Sequence, residues 1–172
     1  MTQDRTLTNI VHPFPPLYRE DARILILGSL PSVKSREQQF FYGHPQNRFW
    51  PLMARLFEEP VPQTVEEKTA LVLKHHIALW DTIYSCDIQG SSDSSIRNVV
   101  PTDLTPILRE TQVRQIFCNG KTSGACFHRW QEKTLGREAV VLPSTSPANA
   151  AWNMDRLAEA WSVVRTAAET SL

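Results

Sequence analysis

Residues 23–50 read RILILGSLPSVKSREQQFFYGHPQNRFW, and the fold turns on how this stretch is divided. Arg23-Ile-Leu-Ile-Leu27 is a short continuous apolar run, as in a parallel strand buried on both faces. Gly28 interrupts the run near its end. From about Asn47 the pattern changes: Phe49, Leu52, Met53, Leu56 and Phe57 recur at the helical period. Between strand and helix lie Gly28, Ser29, Leu30, Pro31, the aromatic run Phe40-Phe-Tyr42, His44 and Asn47. A core needs no such succession of polar groups. A site at the carboxyl end of a strand uses them, because ligands of open α/β sheets bind there.

Outward from this stretch, strands and helices alternate. Residues 1–18, with Pro13, Pro15 and Pro16, read as an irregular arm. Pro60 and Pro62 end the helix that starts near Asn47. Thr64 and Glu67 form a capping box for a helix to His75. Ile77 to Tyr84 reads as the second strand, Gln89 to Pro101 as a polar loop, and Asp103 as the cap of a short helix. Val113 to Cys118 is the third strand, followed by the turn Asn119-Gly120 and a helix from Lys121 to Thr134. Glu138 to Leu142 is the fourth strand. It runs into Pro143-Ser-Thr-Ser-Pro147, and Asn153 caps a last helix whose buried stripe is Leu157, Ala158, Trp161, Val164 and Ala168. The alternation predicts an α/β fold, a three-layer α/β/α sandwich with a four-stranded parallel central sheet. One domain spans 1–172.

With 172 residues, the chain is long enough to bury a sizeable core. Its net charge of zero gives no global attraction to polyanions. Lys34, Arg36, Arg48, Arg97 and Lys121 fall in or beside the loops expected to face a ligand. They read either as a local basic patch or as solvated surface. No apolar run is long enough to span a bilayer, and no signal peptide is expected. The three cysteines are scattered, which argues for a reducing compartment and against a disulfide framework. None of the five histidines sits at zinc-site spacing, so no metal and no cofactor are expected. Gly120-Lys121-Thr122 lacks the earlier glycine of a phosphate loop, Gln115 standing there, and no G-x-S-x-G occurs. Taken singly, Asn47 suits a helix cap, His44-Pro45 a turn, and Phe40, Phe41 and Tyr42 a core.

Read together, these stretches resemble a known family. Gly28-Ser-Leu-Pro31 followed by Tyr42-Gly-His-Pro-Gln-Asn-Arg-Phe-Trp50 is similar to the first motif of the uracil-DNA glycosylase superfamily. Phe117-Cys-Asn-Gly-Lys121 resembles its strand-turn, and Val141-Leu-Pro-Ser-Thr-Ser-Pro-Ala148 its second motif, the loop that enters the duplex. The resemblance runs from about Arg23 to the last helix. It is strongest to the hypoxanthine (deoxyinosine) branch, with likeness to the mismatch-specific uracil/thymine branch. The latter carries a water-holding Asn where this chain has Leu30, and Leu30 cannot hold a water.

The resemblance implies a monofunctional DNA repair glycosylase that removes hypoxanthine from deoxyinosine. Its partner would be DNA containing a deaminated base, and the protein a cytoplasmic, nucleoid-associated monomer. The alternatives are uracil or thymine excision from mismatches, a catalytically silent nucleic-acid-binding module, or an unrelated hydrolase of small nucleotides. A base must leave the duplex to be reached. Asn47 is the expected catalytic residue. The expected base-binding residues are Gly28, Ser29, Leu30, Pro31, Tyr42, His44 and Asn119, with Tyr42 stacking on the base. Ser144, Thr145 and Ser146 are expected to hydrogen-bond phosphates, Pro147 and Ala148 to press into the base stack, and Lys121 to face a phosphate.

Overall fold

The structure is a computed structural model that describes residues 7–170. In chain order it comprises β1 Thr8–Val11, β2 Ile24–Gly28, α1 Val33–Gln38, α2 Phe49–Phe57 and α3 Val65–Lys74. There follow β3 Ile77–Asp81, β4 Ile83–Ile88, β5 Arg97–Pro101, α4 Thr105–Glu110 and β6 Gln115–Asn119. The chain closes with α5 Lys121–Trp130, α6 Glu132–Leu135, β7 Ala139–Leu142 and α7 Met154–Glu169.

The expected parallel sheet is present, in the order β3-β2-β6-β7. Every residue of β2 and of β3 is buried. Successive side chains of a strand point to opposite faces, so burial of all of them means that both faces are covered. Helices supply that cover: α7 packs on β2 and on α2, α3 on β3, and α5 on β6 and β7. Helix α7 buries Leu157, Trp161, Val164 and Ala168, four of the five stripe positions read from its period. Its Asn153 cap accepts from Arg156 N at 2.9 Å, and the Trp161 indole donates to Pro143 O at 2.9 Å. Burying a side chain of Leu size contributes about 1.5–3 kcal/mol, so this stripe anchors the helix. In α3, Thr64 Oγ1 accepts from Glu67 N, but the Glu67 carboxylate accepts from Gln63 N, one residue before the cap.

Four expectations fail. The arm is not irregular throughout, because Thr8–Val11 pairs antiparallel with β4; residues 1–6 lie outside the described residues. The second strand does not run through to Tyr84. It ends at Asp81, and after Thr82 the chain enters β4 of another sheet. The polar loop contains β5, whose mostly exposed residues carry no apolar run. Together β1, β4 and β5 form a three-stranded antiparallel sheet in the order β1-β4-β5. Its pairings join residues far apart in sequence, which local periodicity does not report. The helix expected from Lys121 to Thr134 is also broken, at Gln131. That side chain is buried and donates to the carbonyls of Thr82 and Thr102 at 2.9 and 3.1 Å, tying the helices to the junction of the sheets.

Candidate active site

The carboxyl ends of the parallel strands open into a cleft of about 790 Å³. All the residues expected to bind or act on a base or its phosphates line it. Its depth begins at Gly28. A Cβ there would lie 2.4 Å from Asp81 Oδ1 and 3.2 Å from the Tyr42 hydroxyl, so only glycine fits. Ser123 Oγ donates to the carbonyls of Leu27 and Gly28, and Ile83 N to that of Ser29, which holds the strand end in place. Leu30 and Pro31 continue the wall. Leu30 also packs against the apolar cluster of Ile83, Cys86, Ile88 and Cys126, which explains an apolar residue at this position.

Tyr42 is held by its backbone and its ring. Its φ of 53° is left-handed, a conformation that costs a non-glycine residue free energy. One ring face lies on Phe49, with centroids 4.0 Å apart. Its hydroxyl is buried and has no hydrogen bond of ordinary geometry among the described residues, although the Asn119 side chain is close enough to act on it. Burial and, after it, the nearby Asp81 charge hold the phenol well above its ordinary pKa. His44 Nδ1 accepts from Gln46 N at 3.1 Å, so Nε2 carries the ring proton.

Asn47 stands at the entry to α2, and both readings of its sequence position apply. Its Oδ1 accepts from Phe49 N at 2.9 Å, as a cap does, and from Thr145 Oγ1 at 2.8 Å. A backbone N–H can only donate, so this bond fixes which end of the amide is oxygen. The Nδ2 donor is left without a protein partner among the described residues, on a side chain that lines the cleft. Thr145 Oγ1 in turn accepts from Asn119 Nδ2 at 3.0 Å, and Asn119 Oδ1 accepts from Thr145 N at 3.0 Å. One directed chain thus runs from Asn119 through Thr145 to Asn47.

This chain corrects the expectation for Thr145. Its side chain is fully buried and its hydroxyl is engaged on both sides, so it positions Asn47 instead of meeting a phosphate. Ser144 and Ser146 differ. Their Oγ atoms accept from the amides of Ser146 and Ala148, and each keeps an O–H with which to donate. Ala148 is exposed and Pro147 half-buried at the rim.

Arg48 is likewise not free for DNA. Its guanidinium donates to the carbonyls of Ser146, Asn149 and Trp152, and its backbone amide to that of Thr145, so it braces the loop from within. Lys34 pairs with Glu37, while Arg36 and Arg97 donate to loop carbonyls. Lys121, exposed at the first turn of α5, is the cation of this group with no such partner among the described residues.

Sequence reading missed the Asp81–His12 pair. Asp81 Oδ2 lies 2.6 Å from His12 Nε2, and both residues are buried. An acid closing the otherwise apolar strand IALWD was the available signal for Asp81. Nothing local marked His12 as its partner.

The sequence profile of the uracil DNA glycosylase superfamily matches residues 15–166. A hypoxanthine DNA glycosylase of Methanosarcina acetivorans is 35% identical over 153 residues, covering 88% of this chain and 95% of that protein. One of Methanosarcina barkeri is 32% identical over 139 residues, covering 79% of this chain and 86% of its own length. Among solved structures, the solution NMR structure of a uracil DNA glycosylase candidate from Methanosarcina acetivorans superposes with a TM-score of 0.78. It is 33% identical and covers 91% of this chain and 97% of that one. Among the described residues, no helix is long and apolar enough to cross a membrane.

Proposed function

The chain belongs to the uracil DNA glycosylase superfamily, and on that premise we propose that it hydrolyses the N-glycosidic bond of deoxyinosine in DNA, releasing hypoxanthine from a flipped-out nucleotide. The observation that carries this reading is the state of Asn47: its oxygen is engaged twice, and its amide donor is free in a cleft that lies at the strand ends. Breaking the bond builds oxocarbenium character on the sugar and negative charge on the departing base. An asparagine is no general base near neutral pH. It can orient a water, and it can donate its amide hydrogens to the base as charge develops. Both are preorganised positioning and electrostatics, and they need no proton transfer at the asparagine. The N-terminus of α2 beside Asn47 adds a field that favours the same negative charge.

The remaining residues fit the same task. Tyr42, backed by Phe49, offers a ring to the extruded base, and stacking of this kind is worth about 1–3 kcal/mol. The free O–H groups of Ser144 and Ser146, with Lys121, suit phosphates, while the Pro147-Ala148 tip suits the space the base vacates. Leu30, packed into an apolar cluster, supports hypoxanthine over a uracil reaction that needs a polar water-holder there. The enzyme would act as a monomer at the nucleoid.

Duplexes carrying inosine, uracil, xanthine or a G·T pair, incubated with the pure protein and cleaved by alkali, test the proposal. Inosine is expected to be cut fastest. Faster cutting at uracil would overturn the choice of base, and no cutting of any duplex would overturn the activity.

A further inference from the structure

The floor of the cleft holds polar groups that the Asn47 network does not use. His12 crosses from the segment after β1 to the carboxyl end of β3 and meets Asp81 there, at 2.6 Å. The two side chains are 0% and 5% exposed. The imidazole is clamped by Trp80, with ring centroids 4.1 Å apart, and by the edge of Phe14 at 4.7 Å. With Asp81 accepting, Nε2 carries the proton, and the buried Nδ1 has no partner among the described residues. His12 thus engages Oδ2 and fixes the carboxylate rotamer.

The other carboxylate oxygen has a different position. Oδ1 lies over the Gly28 backbone, in the lining of the cleft, and no protein donor bonds to it among the described residues. An acceptor held in one rotamer in the lining of a cleft and left unmatched by the protein calls for an explanation. A ligand edge that presents a donor would complete it.

We propose that Asp81 Oδ1 is the specificity-determining acceptor for the ring N–H of the extruded base, and that His12 is the positioning residue that aims it. This rests on the reading of the cleft as a base pocket. A carboxylate offers acceptors only. It therefore favours a lactam ring, in which an N–H lies next to a carbonyl, and repels a ring nitrogen that presents a lone pair. Hypoxanthine has the lactam edge and presents its N1–H to Asp81. Gly28 is part of the device, since any side chain there would cover Oδ1.

The test is equilibrium binding of free bases to the full chain, followed by NMR shifts. Hypoxanthine is compared with 1-methylhypoxanthine, which lacks the N1–H, and with purine, whose N1 is a lone pair. Sites built around a hydrogen bond reject analogues that lack it, so the parent should prefer hypoxanthine by at least about tenfold. Asp81→Asn is nearly isosteric but can turn a donor toward N1, and it should abolish the preference over purine. His12→Phe keeps a ring in the aromatic clamp without the N–H and should lose the preference. His12→Gln restores an N–H near the Nε2 position and should recover it, which a merely structural histidine would not show. A parent that binds no base or prefers none, or an Asp81→Asn variant with undiminished preference, overturns the inference. Excision from inosine duplexes, measured in parallel, separates the two proposals: selective base binding without excision removes the glycosylase reading alone, and excision with an Asp81-independent preference removes this one alone.

Discussion

The two sides of the cleft are built in opposite ways. On the Asn47 side the Asn47 oxygen, the Thr145 hydroxyl and the Asn119 amide are matched with protein partners, and one amide donor is left over. On the floor, beside Gly28, neither the buried Tyr42 hydroxyl nor Asp81 Oδ1 has a hydrogen bond from or to the protein of ordinary geometry among the described residues. A saturated network restricts a side chain to one rotamer, at little cost, because each buried polar group is compensated. An unsaturated floor holds polar groups that cost stability until something binds. The contrast assigns aiming to the first and reception to the second. It also predicts that breaking the Asn47 network should cost stability, whereas removing the Tyr42 hydroxyl should cost little.

The largest effect should come from Asn47→Asp. Aspartate keeps both acceptor bonds, to Phe49 N and Thr145 Oγ1, and removes only the donor while adding a charge that repels a departing anion. Single-turnover release of hypoxanthine should fall at least about a hundredfold, the scale of losing one preorganised donor, with the melting temperature near the parent's. Asn47→Ala should show the same rate loss and, in addition, lose about 1 kcal/mol as a cap. A folded Asn47→Asp variant working at the parent's rate would leave Asn47 as a cap alone.

Thr145→Val should come next. It preserves shape and deletes the hydroxyl at the centre of the chain, so Asn119 loses an acceptor and Asn47 a donor. Urea denaturation should show a loss of about 1–3 kcal/mol, the cost of unmatched buried groups, and excision should slow because Asn47 is no longer held in one rotamer. Unchanged excision despite the lost stability would mean that the network supports the loop but does not aim the asparagine.

Tyr42→Phe should be the mildest, and on the other side of the comparison. Removing a hydroxyl with no hydrogen bond of ordinary geometry among the described residues should change stability by less than about 1 kcal/mol at neutral pH. The difference should appear in alkali. The folded-state pKa is raised above the ordinary value of 10.0, so the folded chain holds this proton more tightly than the unfolded one. The stability linked to it is therefore complete below pH 10.0 and declines as the pH rises above that value. Tyr42→Phe should melt with a shallower alkaline slope than the parent. Tyr18, also raised, chiefly by its hydrogen bond to Glu110, is present in both proteins and cancels. Equal slopes would show that the hydroxyl is solvated after all.

What could be read from sequence was what the chain encodes within a few residues. The apolar run ending at Gly28 marked a buried parallel strand, and the loops after strands marked the ligand edge. Gly28, Tyr42, Asn47, Asn119 and Ser144 do meet in one cleft, because parallel strands put their carboxyl ends on one side of a sheet. The caps at Thr64 and Asn153 were legible for the same reason, since donor and acceptor lie three residues apart.

Only the tertiary structure decided what each polar group does. Thr145 sits between two serines and reads as their equal, yet it is buried, and its hydroxyl serves an asparagine 98 positions away. Arg48 reads as a DNA-facing cation, yet its guanidinium closes on carbonyls of the 146–152 loop. Strands β1 and β5 have no period of their own and exist through β4, which lies between them. His12 and Asp81 are 69 positions apart, and neither announces the other. Hydrophobic period and turn chemistry are local properties of the chain, whereas the partner of a hydrogen-bonding group is whichever segment the packed sheet brings within 3 Å or so, and no window of sequence contains both.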